Sequence, residues 1–156
     1  MPPLFETVVD LQRQADVIRR RRYGMIEVVD GEFRRVRLRP YPKLISLPGI
    51  RFADWRLHRR RPGDCCRLFY NQPRRCSNFL AVAYVVSYAG ASFRTVRMAG
   101  VVLDEIAKIK RSDALLCDAS NRRISDRLLH RWGWQAHSPS LGRRNFIKRF
   151  YGEYPM

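Results

Sequence analysis

An α/β fold is expected for this 156-residue chain, and three observations carry the expectation. The run Phe79 to Tyr88, FLAVAYVVSY, is almost unbroken apolar residues, the mark of a strand buried on both faces. Two stretches with apolar residues at three- and four-residue spacing follow it, separated by the short apolar segment Asp113 to Asp118, DALLCD. The hydrophobic fraction is 46%, with 12% aromatic residues, which is enough for a core without disulfides or metals and too much for a disordered chain. The length suits one domain spanning 1–156.

The elements follow in order. Within residues 1–24, Leu4 to Arg22 reads as an amphipathic helix, because Leu4, Val8, Leu11, Ala15 and Ile18 share one face. Pro2 and Pro3 precede it and Gly24 stops it. Met25 to Val29 and Phe33 to Leu38 flank Asp30-Gly31, a strong hairpin signal. Lys43 to Leu47 and Phe52 to His58 are further candidate strands, with Trp55 as a core anchor. Arg59 to Ser77 reads as a long basic loop carrying a short strand, Leu68-Phe69-Tyr70. After the buried strand, Ser92 caps a helix running to about Lys110, with Val96, Ala99, Val102, Leu103, Ile106 and Ile109 toward the core. Ser120 or Asn121 caps a second helix, Arg122 to Trp132, and Gly133 ends it. Trp134 to Ser138 and Asn145 to Tyr151 read as closing strands.

Charge narrows the partners. The chain has 31 basic and 14 acidic residues, a net +17, and lysine occurs only at Lys43, Lys108, Lys110 and Lys148. Such a field attracts polyanions: RNA, DNA, anionic lipid or a phosphorylated cofactor. A bias toward arginine in composition would give the same count without a partner. Cys65, Cys66, Cys76 and Cys117 form no C-x-x-C pair, and no signal peptide is visible, so reduced thiols in the cytoplasm are expected and no metal site. No apolar run approaches the ~20 residues needed to span a bilayer.

The order strand, helix, strand, helix, strand, strand over Phe79 to Tyr151 resembles the acyl-CoA-binding half of the GNAT-type N-acyltransferases. The segment NRRISDRLLHRWGW is similar to that family's second conserved stretch, with Asn121, the ladder residue Leu128, Gly133 and Trp134 in the matching places. Arg97-Met98-Ala99-Gly100-Val101-Val102 is similar to the family's pyrophosphate motif in its arginine and first glycine, with Val102 where a small residue is usual. The resemblance implies a GNAT-like mixed central sheet flanked by helices. It also implies acetyl-CoA or another acyl-CoA as cofactor, held by Arg97 through Val102 and Asn121, and acyl transfer to an amine. The same six residues would equally serve an ordinary amphipathic helix with Ala99 and Gly100 packed on the sheet.

The chemistry needs a base for the amine and a donor for the leaving thiolate. Leu129 stands where many of these enzymes have a tyrosine donor. Asp118, Ser125 and His130 are the candidates for the missing roles, with Glu105, Tyr84 and Tyr88 as further polar groups nearby in the expected fold. The alternative expectation is a noncatalytic basic domain of the same shape that binds nucleic acid or ribosomes. It would use Arg19 to Arg22, Arg34 to Arg39, Arg59 to Arg61 and Arg74-Arg75, interleaved with Trp55, Phe69 and Tyr70.

Overall fold

The chain begins with a short edge strand, β1 (Glu6–Val8), and a short helix, α1 (Ala15–Arg20). Then come β2 (Tyr23–Val29), β3 (Glu32–Arg39), β4 (Cys65–Asn71) and β5 (Phe79–Ser87). The long helix α2 (Phe93–Lys110) leads to β6 (Ala114–Asp118), helix α3 (Asp126–Arg131), β7 (Gln135–Ala136) and β8 (Asn145–Arg149). This computed structural model describes residues 5–40, 64–87, 92–118, 125–137 and 145–155. Among these, eight strands form one mixed sheet in the order β1-β3-β2-β4-β5-β6-β8-β7. Every neighbouring pair is antiparallel except β5 and β6, which α2 joins as a parallel crossover.

The hairpin forms where its signal lies. Asp30 and Gly31 have φ of 53° and 76°, the left-handed pair that a two-residue turn between twisted strands requires. Gly31 N–H donates to Thr95 Oγ1 at 2.9 Å, and Asp30 N–H donates to the Asp64 carbonyl at 2.7 Å, so the turn is tied to the start of α2. Helix α2 lies across β2, β3 and β4 with α1 beside it. Its residues Ala99, Val102, Leu103 and Ile106 are buried against the alternate sheet positions Ile26, Val28, Val36, Leu38, Leu68 and Tyr70. Each large side chain in that set stabilises the fold by roughly 1.5–3 kcal/mol on burial. Gly24 sits opposite Tyr70, where an added Cβ would come within 2.6 Å of the tyrosine ring, so only glycine fits there.

The N-terminal helix expected over Leu4 to Arg22 is not formed as one element; residues 6–8 are a strand and the helix starts at Ala15. Local polar groups break it. Gln14 Oε1 accepts from the Val9 and Asp10 amides, and Asp10 Oδ1 accepts from the amides of Gln12 and Arg13, which holds a turn there. Val8 and Ile18 are nonetheless fully buried, and Leu11 and Ala15 pack against the same core. The periodic residues are the inward ones, but two elements present them.

Other details differ as well. Leu68-Phe69-Tyr70 belongs to a longer strand that starts at Cys65. The second helix is described from Asp126, with Ser125 as its cap, the Oγ accepting from the Leu128 amide at 3.1 Å; Ser120 and Asn121 lie outside the described residues. Gly133 (φ 94°) ends that helix as expected, with Trp134 N–H closing back on the Leu129 carbonyl at 2.9 Å. β5 is not buried on both faces throughout: Leu80 is, but Ala83 and Val85 are exposed, because β6 accompanies β5 only over its first residues. The candidate strands at Lys43 to Leu47 and Phe52 to His58, with Trp55, lie outside the described residues. Among the described residues no helix is long and apolar enough to cross a membrane.

Candidate functional site

The two parallel strands pair over only part of β5. β5 and β6 pair from Phe79↔Ala114 to Val82↔Cys117, and residues 83–87 then continue beside β4 with no partner on the β6 side among the described residues. The register with β4 shifts at this point: Phe69 faces Tyr84, but Tyr70 faces Val82, so Ala83 is an extra residue. A bulge bends its strand and increases its twist, and it lies where the pairing with β6 ends, β6 itself stopping at Asp118. A cavity of about 250 Å³ lies beside the last paired residues, lined by Ala81, Val82, Leu116, Cys117 and His137 among others. The carboxyl ends of parallel strands are where open α/β sheets hold ligands. Apolar side chains are left exposed nearby: Val85 on the unpaired part of β5 and Phe93, 57% exposed, at the start of α2.

The first turn of α2 is partly occupied. Ser92 caps it, its Oγ accepting from Thr95 N–H at 3.3 Å, and Ser92 in turn donates its N–H and its hydroxyl to the two Asp64 oxygens, both at 2.7 Å. Burial opposes the charge on Asp64. Hydrogen bonds from Thr95 and Ser92, with the Arg94 charge, outweigh it and hold the carboxyl below its ordinary range. Val96 N–H reaches the Ser92 carbonyl, which leaves the Phe93 and Arg94 amides without a partner among the described residues.

The expected phosphate motif falls farther along. Arg97 through Val102 sit inside the continuous helix Phe93–Lys110, where each amide serves the carbonyl four residues back. Ala99 and Val102 point into the core, and the Arg97 guanidinium lies 5.7 Å from the Trp132 ring centre. Met98 packs partly buried against the core, and Val101 is exposed. Gly100 meets neither ligand cradle nor sheet: an added Cβ would find only Arg97 Nη1, 4.0 Å away. The backbone of these six residues is therefore committed to the helix.

The other candidates scatter. Ser125 is a helix cap. His130 is exposed, with its ring edge-on to Phe146 at 6.2 Å. Asp118 ends β6 opposite Asn145, close to the cavity in register. Glu105 accepts from Gln12 Nε2 at 3.3 Å on the outer side of α2. Asn121 and Tyr88 lie outside the described residues, as does the Tyr84 side chain. Cys65 and Cys66 are consecutive on one strand, so their thiols face opposite sides of the sheet, and burial pushes Cys66 up to about 12.

Two features had no place in the sequence reading. His137 lines the cavity beside the last paired residues of β5 and β6, carried there by β7, whose partner is β8. Lys148 reaches from β8 to Asp104 on α2 at 2.8 Å, with both side chains under a tenth exposed. The signal for that pair was available: Asp104 interrupts the apolar stripe of α2, and Lys148 is one of few lysines and alternates with Phe146 on an inward face. Compared with known protein families, with curated proteins and with solved structures, the chain matches none.

Proposed function

We propose that this chain is an acyl-CoA-dependent N-acyltransferase of the GNAT type, with acetyl-CoA or a related thioester entering the cavity where the pairing of β5 with β6 ends. The single observation that carries the reading is the cavity at the carboxyl ends of the two parallel strands, where their pairing stops at Val82 and Cys117, at the end of the sheet where the long crossover helix begins. The thioester arm would lie beyond the last strand pair, Val82 and Cys117, along the cavity wall that carries His137. The phosphates would meet the Phe93 and Arg94 amides and the Arg94 side chain at the positive end of α2, not the backbone of Arg97 through Val102. In the transfer, the amine nitrogen attacks the thioester carbonyl, the carbon–sulfur bond breaks, and CoA leaves as the thiolate. His137, on the cavity wall, takes the proton that the amine loses, directly or through one water.

Titration calorimetry of the full chain with acetyl-CoA tests this. Saturable binding that falls at least about tenfold in Arg94→Glu, and stays within about twofold in Arg97→Ala, supports the reading. Absence of binding at millimolar acetyl-CoA removes it.

A second reading, a noncatalytic basic domain that binds nucleic acid or ribosomes, is favoured by the alternation on β3. Arg35, Arg37 and Arg39 share the sheet face opposite α2, with Arg67 two strands away. Against it, Arg35 and Arg67 already hold the buried Glu27, at 3.4 and 3.2 Å, and Arg39 lies over Phe69. RNA binding whose log affinity falls steeply with log salt, and which Arg37→Glu weakens, would favour this reading over the first.

A further inference from the structure

The sheet face opposite α2 carries a second and larger cavity, about 480 Å³, at the other end of the same parallel strands. Its floor is apolar: Phe79, Ala114, Leu116 and Ile147. That volume lies within the roughly 300–1,000 Å³ of small-molecule sites.

Three properties of its rim define what would fit. Arg149 is exposed and makes no ion pair with any described residue. The one carboxylate on the rim, Asp113, is engaged by Asn78 Nδ2 at 2.9 Å and not by Arg149, so the guanidinium remains available to an anion. Tyr151 is 80% exposed and holds a left-handed backbone, φ 51°, that a bulky side chain rarely adopts. The turn is held from outside the cavity. Glu153 N–H bonds the Phe150 carbonyl at 2.9 Å, Phe150 and Tyr154 stack at 4.9 Å, and the Tyr154 hydroxyl donates to the Ser112 carbonyl. The fold thus keeps an aromatic ring in an unfavourable conformation, at the mouth of an apolar hollow, where it gains little burial. Tyr151 and Gly152 (φ 83°) make a left-handed turn pair like Asp30 and Gly31, but with a bulky aromatic in the first place, and strained residues of this kind cluster at ligand clamps.

We propose that this cavity binds a small aromatic carboxylate. Its ring lies on Leu116 and Ile147 under Tyr151, and its carboxylate pairs with the Arg149 guanidinium in the two-point geometry that arginine offers. The site does not depend on the acyltransferase reading: it sits at the opposite end of the strands, and the two cavities share only Leu116 and His137.

The test is protein-observed NMR on the full chain with three probes: 3-phenylpropionate, 3-phenylpropylamine and propionate. The expected result is saturable binding of 3-phenylpropionate in the low millimolar range, with the amine and the ringless acid each at least about tenfold weaker. Arg149→Glu, a change at an exposed position, should weaken 3-phenylpropionate about tenfold or more. Tyr151→Gly should raise the melting temperature by removing the left-handed strain while weakening the probe several-fold. Equal binding of acid and amine, no saturation of 3-phenylpropionate, or binding indifferent to both substitutions would each overturn the proposal.

Discussion

Replacing Lys148 by methionine should destabilise this protein severely, and replacing its partner as well should largely undo the damage. Lys148 Nζ and Asp104 Oδ2 are 2.8 Å apart with side-chain exposures of 8% and 5%. At that distance the gross attraction is roughly 6 kcal/mol for an effective dielectric of 20. Withdrawing two ions from water costs several kcal/mol each, so the net contribution of the intact pair is small. The variant is a different matter. Methionine keeps the stem that packs beside Gly133 but strips the counter-charge from a buried carboxylate whose other oxygen, Oδ1, has no hydrogen-bond partner among the described residues. The expected loss is about 3–5 kcal/mol. Asp104→Leu combined with Lys148→Met should return to within about 1 kcal/mol of the parent, or exceed it. Burial already pushes the Asp104 carboxyl above its ordinary 3.8, and the hydrogen bond from Lys148 offsets only part of this. Without Lys148 it rises further. A carboxyl raised in the folded state gives stability at low pH that is lost as pH climbs through the folded value. The deficit of the single variant should therefore shrink on acidification. Urea unfolding followed by tryptophan fluorescence measures all of this. A single variant within about 1 kcal/mol of the parent, or a double variant no better than the single, would refute the reasoning.

Further outcomes are expected elsewhere. Lys110 Nζ donates to the Arg19 and Arg21 carbonyls and to Gln72 Oε1, while burial and the Arg22 charge pull it down to about 8 from 10.5. The unfolded chain keeps this proton longer as pH rises. Stability of the parent relative to Lys110→Met should therefore rise between pH 8 and 10.5, by roughly 2 kcal/mol after solvent screening; a flat difference counts against it. The Tyr70 hydroxyl is buried without a hydrogen-bond partner among the described residues, so Tyr70→Phe should be neutral or stabilise by up to about 1 kcal/mol in urea unfolding. Gly24→Ala, which drives a methyl into the same ring, should cost about 2–3 kcal/mol. Gly31→Ala forces a left-handed alanine at the hairpin turn and should lower stability by about 1–2 kcal/mol, seen as a fall in melting temperature.

Several elements were settled by residues close together in the chain. Asp30-Gly31 makes the turn it signals, Ser92 caps the helix that runs to Lys110, and Gly133 terminates the next one. In each case the deciding forces act across one turn of backbone: left-handed dihedrals, an orphan amide met by a hydroxyl, an apolar stripe at helical spacing. Other features waited on distant segments meeting. Val8 could be helical or extended by its neighbours alone, and pairing with Val36 made it an edge strand. Arg97 through Val102 read equally as a phosphate motif or as ordinary helix, and the helix that Ser92 caps five residues earlier takes up their amides. The cavity where the β5–β6 pairing ends, the arrival of His137 on its wall, and the pairing of Asp104 with Lys148 depend on register across a sheet and on a helix laid over it. Local sequence carries no term for those distances, because each is set by which strands become neighbours.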